Sequence, residues 1–94
     1  MRAVLILLLL AGCDSPTPLM RGAERHEVLR NGREYVVYQK DETVEVIRLG
    51  YARRGEHVGI RGDMIDMIPV VTGCRLDESS IQGDSGEIRG RIRC

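Results

Sequence analysis

The chain opens with an unbroken apolar run and then changes character. The run spans residues 4–10, with Arg2 before it and the small residues Ala11 and Gly12 after it. A cationic start, a short apolar middle and a small-residue exit are the parts of a secretory signal peptide. The run is also too short to cross a bilayer as a helix, which takes about 20 residues. The pattern therefore predicts that residues 1–12 are a removable export signal.

Alternating apolar and polar positions follow from about residue 25. Asn31 and Gly32 predict a hairpin turn, because both residues tolerate a positive φ. The flanking stretches, residues 26–30 and 34–39, carry the β-branched and aromatic side chains that favour strands. After a polar turn, residues 43–49 form a third strand of the same kind. This part of the chain predicts a three-stranded antiparallel meander.

One helix is predicted over residues 56–68. Its apolar side chains recur at spacings of three and four, as one face of a helix requires. Gly59 and Gly62 weaken it by about 1 kcal/mol each. Pro69 is expected to end it, because the residue before a proline avoids the α region.

The rest of the chain predicts strands and turns. Residues 70–76 are interpreted as a strand, and residues 77–80 and 82–86 as turns. Residues 87–94 alternate strictly, with Ile88, Ile92 and Cys94 on one side and charged residues on the other, as in a half-buried strand. The expected fold is α+β: a small antiparallel sheet, made of the meander and a C-terminal hairpin, with one packed helix over residues 25–94.

Leu10-Ala11-Gly12-Cys13 resembles the lipobox of bacterial lipoproteins, whose pattern is Leu, a small residue, Gly or Ala, and Cys. The resemblance covers the first 13 residues. It implies a diacylglycerol on the Cys13 thiol, cleavage before Cys13 and acylation of the new amine. The alternative from the residues alone is a buried signal-like helix in a cytosolic protein, which the polar break straight after Cys13 disfavours.

The lipobox resemblance also implies a location. The expected place is the bacterial cell envelope, with the domain on the periplasmic or outer side of a membrane. Residues 13–24 would be the lipidated N-terminus and a tether, which Pro16 and Pro18 stiffen. Asp14 resembles an inner-membrane retention signal of some Gram-negative lipoproteins. Because not all bacteria use that rule, the inner and the outer membrane both stay open.

The chain has three cysteines, Cys13, Cys74 and Cys94. Lipid on Cys13 would account for the odd one and leave the other two to pair in an oxidising compartment. The alternative is two free thiols. A disulfide would suit a small domain, because removing residues 1–12 from 94 leaves 82 residues with few apolar side chains and no Trp or Phe.

Charge is balanced, with 14 basic and 14 acidic residues. Without a basic excess, nucleic acid is not an expected partner. A local cluster does stand out, because Arg89, Arg91 and Arg93 share one face of the last strand and Arg75 falls on a neighbouring strand. These four arginines are a candidate surface for anionic headgroups or an acidic protein. The alternative, which the sequence favours, is a solvated face neutralised by nearby acids such as Asp77.

No catalytic residue, metal or cofactor is predicted. Gly83-Asp84-Ser85-Gly86 matches the tetrapeptide around the nucleophile of chymotrypsin-like proteases, but the chain is far too short for that two-barrel fold. The tetrapeptide is also good turn chemistry, and we interpret it so. Glu24, His26 and Glu27 could ligate a metal, yet the known zinc patterns need more His or Cys at set spacings.

The sequence therefore predicts a membrane-anchored, non-enzymatic envelope lipoprotein that binds a protein or cell-wall partner. Its mature part resembles, loosely, the small envelope lipoproteins that end in a cysteine pair. The alternative is a periplasmic inhibitor or immunity-type protein that offers loop 82–86 to the cleft of a hydrolase.

Overall fold

A computed structural model describes residues 18–94 and confirms the α+β fold class. A short 3₁₀ turn comes first, and five strands and one α-helix follow it. Their bounds are Pro18–Met20 for the 3₁₀ turn, Glu24–Arg30 for β1, Arg33–Lys40 for β2, Thr43–Arg48 for β3, His57–Thr72 for α1, Arg75–Gly83 for β4 and Glu87–Arg93 for β5.

The strands form one antiparallel sheet in the order β1-β2-β3-β5-β4. The predicted N-terminal meander is β1-β2-β3, and the predicted C-terminal hairpin is β4-β5. Asn31 and Gly32 make the first turn with φ values of 52° and 76°, as the sequence predicts. Helix α1 connects β3 to β4, so β5 rather than β4 pairs with β3.

The two faces of the sheet are covered differently. The helix face packs against α1, with Ile60, Met64, Met67 and Ile68 buried over the apolar residues of β2, β3 and β5. The opposite face, which we call the outer face, has a smaller apolar cluster. Its buried members are Met20, Val36, Tyr38 and Ile47. The strands at the centre of the sheet are therefore buried on both sides.

Helix α1 continues past Pro69 to Thr72, so the prediction of an end before proline is wrong. A proline inside a helix removes one N–H and thus one hydrogen bond, near the C-terminus of this helix. The last turn has other support, since Thr72 Oγ1 donates to the Ile68 carbonyl (2.7 Å) and Gly73 N donates to the Pro69 carbonyl (2.9 Å). Gly73 ends the helix in the left-handed region at φ 71°.

Two predictions for residues 70–80 are also wrong. Residues 70–72 are helical rather than extended, and β4 begins only at Arg75. The stretch 77–80 is not a turn either, because β4 runs through it with an irregularity between Asp77 and Gln82. Ser80 Oγ replaces part of the ladder there, accepting from Arg91 N (2.8 Å) and donating to the Asp77 carbonyl (2.6 Å).

The predicted disulfide between Cys74 and Cys94 is confirmed. It joins the residues just after α1 to the end of β5, and Cys74 belongs to the core cluster on the helix face. The bond therefore holds the end of β5 against the start of β4, next to the C-terminus of α1.

Candidate functional site

The four predicted surface arginines lie together on the outer face, and we call Arg75, Arg89, Arg91 and Arg93 the basic row. The alternation of β5 puts three of them on one side of the strand, about 7 Å apart. In the register of the hairpin, Arg75 of β4 lies directly opposite Arg93. The row thus crosses from the last strand to the edge of the sheet.

Two members of the basic row have acidic partners. Arg91 Nη2 lies 3.3 Å from Asp77 Oδ2, and Arg89 Nε lies 3.9 Å from Glu87 Oε2. The pKa of Asp77 is lowered mainly by the Ser79 hydroxyl, with smaller effects from Arg91 and Arg93. Within residues 18–94, neither Arg75 nor Arg93 forms an ion pair, and both are exposed. The unpaired positive charge of the basic row therefore lies at the end formed by Arg75 and Arg93.

The chain enters the domain on this same face. Met20 is only 2% exposed and packs in the outer-face cluster with Val36, Tyr38 and Ile47. One residue later, the Arg21 carbonyl accepts from Lys40 Nζ (2.9 Å). Cross-strand neighbours continue the line from Lys40 through Thr43 to Arg91. The entry point is thus at the end of the outer face that carries the basic row.

A buried carboxyl pair lies at the middle of the outer face, and the sequence did not predict it. Glu45 of β3 is 1% exposed, and Glu87 of β5 is its diagonal neighbour across the ladder. Burial, a hydrogen bond to Glu45 and the charge of Glu45 raise the pKa of Glu87 to about 7. Burial and the neighbouring carboxyl group thus favour the protonated form of Glu87. The sequence does carry a signal that Glu45 is buried, because β3 has apolar residues on both faces. That pattern is typical of a strand buried on both sides.

We expect this pair to make folding stability pH-dependent. The unfolded Glu87 titrates near 4.5 and the folded one near 7, so the folded state binds the extra proton between these values and stability falls as pH rises through them. Glu87→Gln should therefore have a higher free energy of unfolding than the wild type at pH 8, by about 1 kcal/mol after a discount for solvent screening. At pH 4 the two free energies should be equal. Urea denaturation at both pH values measures the difference.

Glu34→Gln is the matched control for Glu87→Gln, because Glu34 is an exposed glutamate on the same sheet. It should show no such pH-dependent difference. A Glu87→Gln effect of the same size at pH 4 and pH 8 would contradict a raised pKa of Glu87 in the folded state.

Residues 84–86 form the turn between β4 and β5, within the predicted turn of residues 82–86, whereas Gln82 and Gly83 still belong to β4. Ser85 is 8% exposed, and its Oγ lies 2.5 Å from His57 Nδ1 at the start of α1. The Asp84 carboxylate accepts from Gly86 N (2.8 Å), so it holds the turn instead of orienting His57. Arg48 donates to the Ser85 carbonyl (2.9 Å). These contacts fix the turn to the helix and the neighbouring strand.

Two carboxylates fix the first hairpin to the helix in a similar way. Asp63 accepts from Asn31 Nδ2 (2.8 Å) and lies 3.5 Å from Arg30 Nε. Glu56, just before α1, forms an ion pair with Arg33 and accepts from Arg53 N (2.7 Å). The pKa of Glu56 is lowered mainly by that backbone hydrogen bond.

The other features weighed in the sequence, namely the lipid anchor, a metal site and a membrane span, lie only partly in the described residues. Cys13, the export signal and the first part of the tether lie outside residues 18–94. In the described part, no group of three or more His, Cys, Asp or Glu is placed to hold a metal ion. No helix among these residues has the length and apolar character needed to span a bilayer.

Comparison with known protein families, with curated proteins and with solved structures finds no match to this chain.

Proposed function

We propose that this protein is a bacterial envelope lipoprotein, anchored to a membrane through lipid on Cys13, whose small domain has a non-enzymatic binding or structural role. The observation that carries the anchor is the four-residue lipobox Leu10-Ala11-Gly12-Cys13 after a short apolar run. Stable attachment takes two or more acyl chains, which lipobox processing would provide.

The contacts of the domain support a binding role over a catalytic one. His57 and Ser85 hold a turn against the helix, and Ser85 is too buried to offer its hydroxyl freely to a substrate. Asp63 and Glu56 join the first hairpin to α1. These side chains thus bind to other parts of the domain, whereas Arg75 and Arg93 of the basic row are exposed and form no ion pair within residues 18–94.

The same contacts disfavour the inhibitor alternative. An inhibitory loop must present its central side chains to a cleft, and the centre of loop 82–86 is Asp84 and Ser85. Asp84 is bonded to the backbone of its own turn, and Ser85 is buried against His57. The central side chains of the loop therefore hold the turn together and are not presented to the cleft of a hydrolase.

Replacing Cys13 with serine tests the anchor. The wild type should sediment with membranes and move to the detergent phase, because its acyl chains partition there. Cys13→Ser should lose the lipid and with it nearly all membrane association. The measurement is immunoblotting of membrane and soluble fractions after cell lysis.

A second serine variant controls for changes in protein amount and in oxidation. Cys94→Ser removes a cysteine and leaves the lipobox intact, so it should stay in the membrane fraction. If Cys13→Ser partitions as the wild type does, the anchor proposal is wrong.

A further inference from the structure

The entry of the chain constrains where the domain can lie relative to a membrane. Met20 is buried in the outer-face cluster, so the segment before it starts from that face. Cys13 precedes Pro18 by five residues, and an extended chain spans at most about 3.6 Å per residue. The anchored residue thus lies within about 18 Å of Pro18. A tether this short leaves the outer face near the lipid headgroups.

The charge of the outer face differs between its two ends. The end where the chain enters, which we call the basic end, carries Arg21, Lys40, Arg75, Arg91 and Arg93. The acidic residues nearest to it are Asp41, Glu42, Asp77 and Glu78, of which Asp77 is paired with Arg91. Farther along the outer face, Glu27 forms an ion pair with Arg25 (2.7 Å), and Glu34 lies toward the opposite end. Among the described residues of the outer face, the exposed arginines without an ion pair, Arg75 and Arg93, therefore lie at the end beside the tether.

We propose that the basic end of the outer face rests on the anionic headgroups of the membrane that holds Cys13. The end that carries the Asn31–Gly32 turn would then point away from the bilayer, because it lies at the opposite ends of the same strands. This inference rests on the proposed lipid anchor. Each Lys or Arg near an anionic surface strengthens association by about fivefold, and the anchor makes the contact intramolecular.

A single introduced tryptophan can report this orientation, because the chain has no Trp of its own. Thr43 is exposed at the basic end, between Lys40 and Arg91 in the register. Tyr51 is 98% exposed and follows β3 at the opposite end, where a strand of this length has advanced by roughly 17 Å. Thr43→Trp and Tyr51→Trp therefore form a matched pair of probes.

The experiment uses the full lipidated chain in vesicles of phosphatidylcholine and phosphatidylglycerol with headgroup-spin-labelled lipid. Co-flotation with the vesicles is measured first, and its failure would overturn the proposed anchor. In samples that float, Thr43→Trp should be quenched several-fold more strongly than Tyr51→Trp, because a spin label quenches only at close approach and the two positions lie roughly 17 Å apart. Equal quenching of the two probes in floating samples would overturn the orientation and leave the anchor standing.

Charge variants and lipid composition test the recognition itself. Arg75→Gln with Arg93→Gln should reduce the quenching of Thr43→Trp by about half or more, as should vesicles of phosphatidylcholine alone. Arg53→Gln with Arg54→Gln removes the same charge near Tyr51 and should change nothing. Quenching that stays the same in uncharged vesicles would overturn recognition of anionic headgroups. A basic end occupied by an acidic protein or by a second copy would instead leave Thr43→Trp unquenched by the lipid label.

Discussion

Replacing Cys74 and Cys94 together with serine is expected to lower the free energy of unfolding by about 3 kcal/mol. The disulfide spans 20 residues and restricts the unfolded chain over that length. Cys74 is also 7% exposed within the core cluster, so a serine hydroxyl there has to be desolvated. For a small domain, which has only about 5 kcal/mol to lose, this is a large fraction. Urea denaturation followed by circular dichroism measures it.

Reduction of the wild type provides an independent form of this test. Dithiothreitol should shift the wild-type unfolding midpoint to lower urea, toward that of the double variant. The double variant has no disulfide to reduce, so its midpoint should not move. A wild-type midpoint that is the same with and without dithiothreitol would contradict the stabilising role of the bond.

Gly83→Ala is expected to destabilise the domain by about 3 kcal/mol. A Cβ at this position would lie 2.1 Å from the backbone carbonyl oxygen of Glu87, and Gly83 has a φ of 110° that other residues rarely adopt. The same carbonyl accepts from Asp84 N (2.9 Å), so it cannot move without breaking the turn. Thermal unfolding should show the loss as a lower midpoint temperature. The variant should also hold Ser85 less firmly against His57.

Gly59→Ala makes the same chemical change in a place that can accept it. Gly59 lies in α1 with open space around the added Cβ, so alanine should stabilise the domain by about 0.5 to 1 kcal/mol. The two alanine variants should therefore move the midpoint in opposite directions. Equal stability of Gly83→Ala and the wild type would show that the β4-β5 turn is more adaptable than its geometry indicates.

The fold was largely predictable because most of its signals are local. The positive φ of Asn31 and Gly32 follows from residue type, and the alternation of β5 follows from a period of two. The failures arose where tertiary contacts override a local preference. Pro69 stays helical because Gly73 caps the last turn and the disulfide holds the chain beyond it. Residues 77–80 stay in a strand because Ser80 satisfies the backbone of β5.

The candidate site was less accessible to sequence reasoning. Strand alternation placed three arginines on one face, but only the register shows that Arg75 lies opposite Arg93. The Glu45 and Glu87 pair depends on β3 lying next to β5, and nothing local specifies that strand order. The same holds for His57 and Ser85, which are 28 residues apart in the chain. Contacts between distant segments are set by the topology, which has to be known first.

The intact mass of the mature chain, purified from membranes, is the sharpest test of the lipid anchor on Cys13. We expect a mass that begins at Cys13 and carries a diacylglycerol with an added acyl chain, and a fragmentation spectrum that places this mass on the first residue. The two remaining cysteines should lack free thiols. A mature chain that still begins at Met1, or one that begins at Cys13 with no lipid mass, would show that Cys13 carries no anchor.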